Sequence, residues 1–82
     1  MCRNITILRG LEPEATPEEI EASARQYVRK VSGIRHPTDK TSEVFEAAVA
    51  AIAAETATLL SALPPRRNPP KSVPPLRLHG KP

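Results

Sequence analysis

The sequence predicts an all-α fold, a two-helix antiparallel hairpin with an extended amino-terminal arm and a disordered, proline-rich carboxyl-terminal tail. Apolar residues recur at helical spacing in two segments of residues 1–63. Glycine and proline residues mark where those segments end. Residues 64–82 contain seven prolines and little that can be buried. We therefore divide the chain into a small helical domain, 1–63, and a tail, 64–82.

The first helix has clear start and stop signals. Thr16 can cap its amino terminus, Pro17 suits the first helical position, and Glu19 completes a capping box. Gly33 provides a left-handed stop. One face of the helix carries Ile20, Ala24, Tyr27, Val28 and Val31. These signals predict a helix over residues 17–32.

A turn at His36-Pro37 separates this helix from a second one. Four residues are acceptable caps for the second helix, and the sequence does not choose among Thr38, Asp39, Thr41 and Ser42. An apolar seam then follows 3-4 spacing through Phe45, Val49, Ile52, Thr56, Leu59 and Leu63. Pro64-Pro65 ends the segment, which predicts a helix over about residues 42–63.

The arm and the core are both small. Ile5-Thr6-Ile7-Leu8 alternates like a strand, but a lone strand lacks a pairing partner, so we favour an extended arm.

Sixteen residues are candidates for burial: Ile5, Ile7, Leu8, Leu11, Ile20, Tyr27, Val28, Val31, Ile34, Val44, Phe45, Val49, Ile52, Leu59, Leu60 and Leu63. So thin a core favours a homo-oligomer or a protein partner.

Charge is divided unevenly along the chain. Residues 1–63 carry seven basic and nine acidic side chains, whereas residues 64–82 carry five basic and no acidic ones. The basic residues of the tail are Arg66, Arg67, Lys71, Arg77 and Lys81. Any attraction to nucleic acid or another polyanion should therefore begin in the tail.

A second basic group surrounds the end of the first helix and the following turn. Its members are Arg25, Arg29, Lys30, Arg35, His36 and Lys40. One interpretation is an anion-binding site. The other is a solvated face that complements the helix dipole. A DNA-reading helix is disfavoured because the second helix opens with Asp39, Glu43 and Glu46.

Cys2 is a weak candidate for a catalytic thiol. Removal of Met1 would leave its thiol beside the α-amino group, with Arg3 favouring the thiolate. The alternative is an incidental or packing role. As the only cysteine, Cys2 excludes a disulfide within the chain. The spacing of the histidines predicts no metal site, and we expect no cofactor.

Uninterrupted apolar runs are short. The longest candidate, residues 47–54, is mostly alanine, and the amino terminus lacks the pattern of a secretion signal. We therefore expect a cytoplasmic protein without a membrane partner.

The segments Met1-Cys2-Arg3-Asn4-Ile5 and Val28-Arg29-Lys30-Val31-Ser32-Gly33, with the apolar series of the second helix, support a family resemblance. The chain resembles a family of small bacterial proteins known as a domain of unknown function. The resemblance covers residues 1 to about 63, and the tail looks particular to this protein. It implies no activity, ligand or partner, but it directs attention to Cys2, Arg3, Asn4 and residues 31–33.

These observations favour a non-enzymatic interaction module that binds itself or a protein partner. The first alternative is binding of nucleic acid or another polyanion through the tail and the 29–40 turn. The second is a thiol-dependent enzyme or redox protein that uses Cys2.

Overall fold

The computed structural model describes residues 5–79, and this part of the chain contains three helices and no strand. Helix α1 spans Pro17–Ser32, α2 spans Ser42–Ala62, and the short α3 spans Pro75–His79. Residues near the start of α1 pack beside the end of α2, and residues near its end pack beside the start of α2. The predicted antiparallel hairpin is therefore confirmed.

Helix α1 has the predicted bounds because both of its ends are fixed by local hydrogen bonds. The Glu19 backbone N–H donates to Thr16 Oγ1 at 3.1 Å, and the Thr16 N–H donates to Glu19 Oε1 at 2.9 Å. This reciprocal pair is the capping box. At the other end Gly33 has a φ of 74°, and its N–H donates to the Arg29 carbonyl at 2.9 Å.

Helix α2 begins at the predicted residue and ends one residue earlier than predicted. Thr41 occupies its N-cap position, but its side chain makes no capping hydrogen bond. Instead Thr41 Oγ1 accepts the Thr38 N–H at 2.9 Å, so the hydroxyl stabilises the loop before the helix. At the end, the Leu63 N–H donates to the Leu59 carbonyl at 3.1 Å while Leu63 itself is extended.

The core consists of two small clusters along the hairpin. Ala24, Val28, Phe45 and Val49 form the first, with Ile34 among the residues packed against it. Leu8, Leu11 and Ile20 form the second. The second cluster shows that the arm packs on the hairpin without forming a strand in residues 5–16, as predicted.

Several residues that we expected in the core are exposed. The exposed fraction is 64% for Val31 and 70% for Val44, and Ile7, Tyr27, Leu59 and Leu63 are also exposed. In a hairpin each helix has only one helical neighbour, so the buried stripe is narrow. Val31 lies beyond the last buried residue of α1, and Val44 points away from the seam that contains Phe45 and Val49.

The structure describes residues 64–79 of the tail, and the prediction that the tail is disordered stays a prediction. Residues 64–79 run back to the start of α1, with Pro70 and Pro74 buried and a last helical turn at α3. The Arg77 side chain hydrogen bonds to the Glu19 carboxylate and to the Pro13 carbonyl. Composition favours disorder in this segment, and the ion pair joins it to a residue 58 positions earlier in the sequence.

Helix α2 is, by length and composition alone, apolar enough to cross a membrane. It has 21 residues and a mean hydropathy of 1.5, and 11% of the apolar window is buried. The uninterrupted apolar runs within this helix are short, whereas its mean hydropathy is high over the whole length. Core helices of soluble proteins pass the same test when they are mostly buried, whereas α2 is mostly exposed, and one such helix is weak evidence for a membrane span.

Candidate functional site

Four of the six predicted anion-binding residues line one cavity of about 420 Å³, together with Gln26. Arg29 and Lys30 extend from the last turns of α1, three and four residues after Gln26. The left-handed Gly33 then redirects the chain, which places Arg35 and His36 along the same cavity. We call this cavity the basic cavity. Its lining contains no carboxylate.

The other two predicted residues lie outside this lining. Arg25 donates to both oxygens of Glu46, at 2.6 and 3.1 Å, and to Glu21 at 3.1 Å. These contacts hold the pKa of Glu46 below its ordinary value, and the positive charge of Arg29 adds to the effect. Arg25 is therefore already paired, while Lys40 is exposed in the loop before α2. The sequence alone could not distinguish Arg25 and Lys40 from the residues that line the cavity. It does not show, for example, that Glu46 of α2 lies beside Arg25.

Arg29 is the unusual member of the basic cavity. Its Nε is buried and has no hydrogen-bond partner. A buried donor left without a partner costs about 1–3 kcal/mol. Arg25, one turn earlier on the same helix, has two carboxylate partners. Arg25 is therefore paired with Glu21 of α1 and Glu46 of α2, whereas the buried Nε of Arg29 has no partner.

The positive charge around the basic cavity is larger than the partial negative charge at the end of α1. The carboxyl end of a helix behaves like about half a negative charge, which nearby cations stabilise. Arg29, Lys30 and Arg35 place three formal positive charges there. The helix end therefore accounts for part of this charge, and Glu46, whose carboxylate interacts with Arg29, offsets a further part.

The outward face of α2 forms a second candidate surface. The residues on this face are small and recur every three or four positions, and all are exposed: Val44, Ala47, Ala51, Ala54, Thr58 and Ala62. We call them the outer seam. At about 100° per residue they lie opposite the buried pair Phe45 and Val49. Among the described residues the main helical neighbour of α2 is α1, and Ala54 of the outer seam also lines a cavity beside the arm.

Two further features were missed by the sequence analysis. An apolar cavity of about 760 Å³ lies between the arm, the start of α1 and the end of α2, where Arg9 donates to the Pro64 carbonyl at 2.8 Å. A smaller groove of about 160 Å³ lies between α1 and the tail, and Gln26 and Arg29 line it as well as the basic cavity. Both depend on where the tail lies, which no local pattern indicates.

Glu19 connects the tail to the hairpin. Its side chain is 6% exposed, and hydrogen bonds from Arg77 hold the pKa of this carboxyl below its ordinary value, with the Thr16 contacts adding to the effect. The sequence identified Glu19 as the capping-box residue. No feature of the sequence indicated that Arg77 would also contact Glu19.

The remaining predicted site residues are dispersed or lie outside the described range. Arg67 and Lys71 are exposed, Arg66 is half-buried, and Arg77 is paired with Glu19. Cys2 and Lys81 fall outside residues 5–79, so the predictions about them stay predictions. Within that range, histidine and acidic side chains form no group of three that could hold a metal ion.

No curated protein and no solved structure is significantly similar to this chain. A family model described as an uncharacterized conserved protein, DUF2277, matches residues 1–78. The match corrects the expectation that the resemblance ends near residue 63, because it includes most of the tail and Arg77. The chain therefore belongs to this family of uncharacterized conserved proteins.

Proposed function

We propose that the protein is a non-enzymatic interaction module, and that the outer seam of α2 binds the same seam of a second copy. The observation that carries this proposal is the low burial of α2. Of its 21 residues only Phe45 and Val49 are buried, although the helix has a high apolar content. Apolar helix faces gain free energy when another surface removes them from water.

The spacing and size of the seam residues favour a helix as the occupant. From Val44 to Thr58 the steps alternate between three and four residues, which matches the repeat of helices that pack in a left-handed supercoil. Alanine side chains allow the two helix axes to approach closely, which increases van der Waals contact. Each alanine buries little area, so we expect a weak to moderate association.

The acidic residues of α2 favour one relative orientation of the two helices in the proposed dimer. The described α2 carries Glu43, Glu46 and Glu55 and no basic residue. A parallel pair would place equivalent acids beside each other, whereas an antiparallel pair centred between Ala51 and Ala54 separates them. We therefore expect a two-fold antiparallel dimer, in which the same surface of both copies is used.

Sedimentation velocity over a concentration series tests the proposal. The full chain should shift from monomer to dimer as its concentration rises toward about 100 µM. Ala51→Gln should weaken the association at least about tenfold, because a longer side chain at the centre of the seam keeps the helices apart. Ala50→Gln is the matched control, since position 50 lies about 100° around the helix.

A chain that stays monomeric throughout the series would reject the dimer. Equal effects of the two glutamine variants would reject the outer seam as the contact. A monomer that instead co-sediments with neutral phospholipid vesicles would show that α2 engages lipid, and this also contradicts the proposal.

A further inference from the structure

We infer that the basic cavity binds the phosphate group of a small phosphorylated molecule. This inference concerns the end of α1 and the following loop, so it is independent of the outer seam on α2. The lining residues are Gln26, Arg29, Lys30, Arg35 and His36, around a volume of about 420 Å³. Pockets for small molecules commonly have about 300–1,000 Å³.

The unsatisfied arginine is the main support. Arg29 lines the cavity while its Nε is buried without a hydrogen-bond acceptor. A guanidinium group presents a planar set of donors that matches the oxygens of phosphate. No described residue accepts from this Nε, and because the atom is buried, the Arg29 side chain must reorient before an oxyanion in the cavity can supply the acceptor.

The composition of the lining favours phosphate over a singly charged carboxylate. Three permanent cations surround the cavity, and Gln26 and His36 add neutral hydrogen-bonding groups. Charge-assisted hydrogen bonds from several donors stabilise a multiply charged oxyanion more than a single negative charge. A phosphate monoester or diphosphate group satisfies this set best.

The surroundings disfavour a nucleic-acid strand. Glu46 lies close enough to Arg29 for the two charges to interact, and it would repel a continuous phosphate backbone. Neither Tyr27 nor the buried Phe45 lines the cavity. Base stacking, on which single-strand binding relies, is therefore not provided here.

Titration of the full-length chain with inorganic pyrophosphate, followed by amide NMR at constant ionic strength, tests the inference. We expect saturable shifts that centre on residues 26–36. Arg29→Gln and Arg35→Gln should each reduce the affinity about tenfold or more, because each removes a charged donor. Lys40→Gln is the matched control, since Lys40 belongs to the same loop and does not line the cavity.

Two additional samples identify the source of the phosphate. Binding to phosphatidic acid vesicles that Arg29→Gln abolishes would assign the site to a lipid headgroup, and pyrophosphate binding without vesicle binding would assign it to a soluble molecule. A response to pyrophosphate that Lys40→Gln weakens as much as Arg29→Gln would overturn the inference. Tighter binding to a single-stranded oligonucleotide than to pyrophosphate, lost on removal of the tail cations Arg66 and Arg67, would also overturn it.

Discussion

The guanidinium of Arg77 binds both carboxylate oxygens of Glu19, with Nε donating to Oε2 at 2.6 Å and Nη2 donating to Oε1 at 3.0 Å. The same Nη2 donates to the Pro13 carbonyl at 2.7 Å. These contacts join the tail to the capping box of α1. We therefore expect the tail to stabilise the helical domain.

Replacement of Arg77 by alanine should destabilise the fold, because the Glu19 carboxylate would lose its charged donor. Urea unfolding followed by circular dichroism measures the change. Arg67→Ala is the control, since Arg67 is exposed and should alter the unfolding free energy by less than about 0.5 kcal/mol. Equal effects of the two variants would contradict a structural role for Arg77.

Truncation after Leu63 should lower the melting temperature. Composition alone predicts no change, but truncation removes the Arg77 contacts and the Pro64 carbonyl that accepts from Arg9. Differential scanning calorimetry of the full-length chain and of the chain truncated after Leu63 measures the two melting temperatures. An unchanged melting temperature would show that the tail contacts contribute no net stability.

Acidification should weaken the fold through Glu19. Its pKa is lowered in the folded state, chiefly by Arg77. The stabilisation is present above the ordinary pKa of an unfolded glutamate, about 4.3, and is lost as the pH falls through the lower pKa of the folded state. The stability difference between the natural chain and Arg77→Ala should therefore decrease on going from neutral pH to about pH 3. A difference that is constant with pH would exclude the ion pair as its origin.

The two glycines with positive φ should respond differently to alanine. At Gly10, φ is 83° and a Cβ would lie 2.8 Å from Arg66 Cβ, whereas Gly33 has a φ of 74° and open space around it. Gly33→Ala should cost about 1 kcal/mol from backbone strain, and Gly10→Ala should cost more because the tail must also move. Thermal unfolding of both variants tests the order, and a larger loss at Gly33 would contradict the position of Arg66.

Arg29→Met should leave stability unchanged or raise it by up to about 1 kcal/mol, since the substitution removes a buried donor without a partner and retains an apolar chain. Chemical unfolding of both chains in a phosphate-free buffer measures the difference in their free energies of unfolding. A loss above about 2 kcal/mol would mean that Arg29 has an essential structural partner.

Local signals predicted most of the hairpin, and contacts between distant residues account for most of what was missed. The bounds of α1 follow from Thr16, Glu19 and Gly33, which act within a few residues of the helix ends. The basic cavity was partly predictable, because Arg29 and Lys30 are near Arg35 and His36 in sequence. The path of the tail depends on Arg77 meeting Glu19, 58 residues away, and periodicity carries no such information.

The shared position of Gln26 and Arg29, in the walls of both the basic cavity and the groove beneath the tail, creates a thermodynamic linkage. A ligand that reorients Arg29 changes the surface that faces Leu76. Docking of the tail must then alter ligand affinity by the same factor as the ligand alters docking. Comparison of pyrophosphate affinity in the full chain and in the chain truncated after Leu63 measures that factor, and equal affinities would show that the two processes are independent.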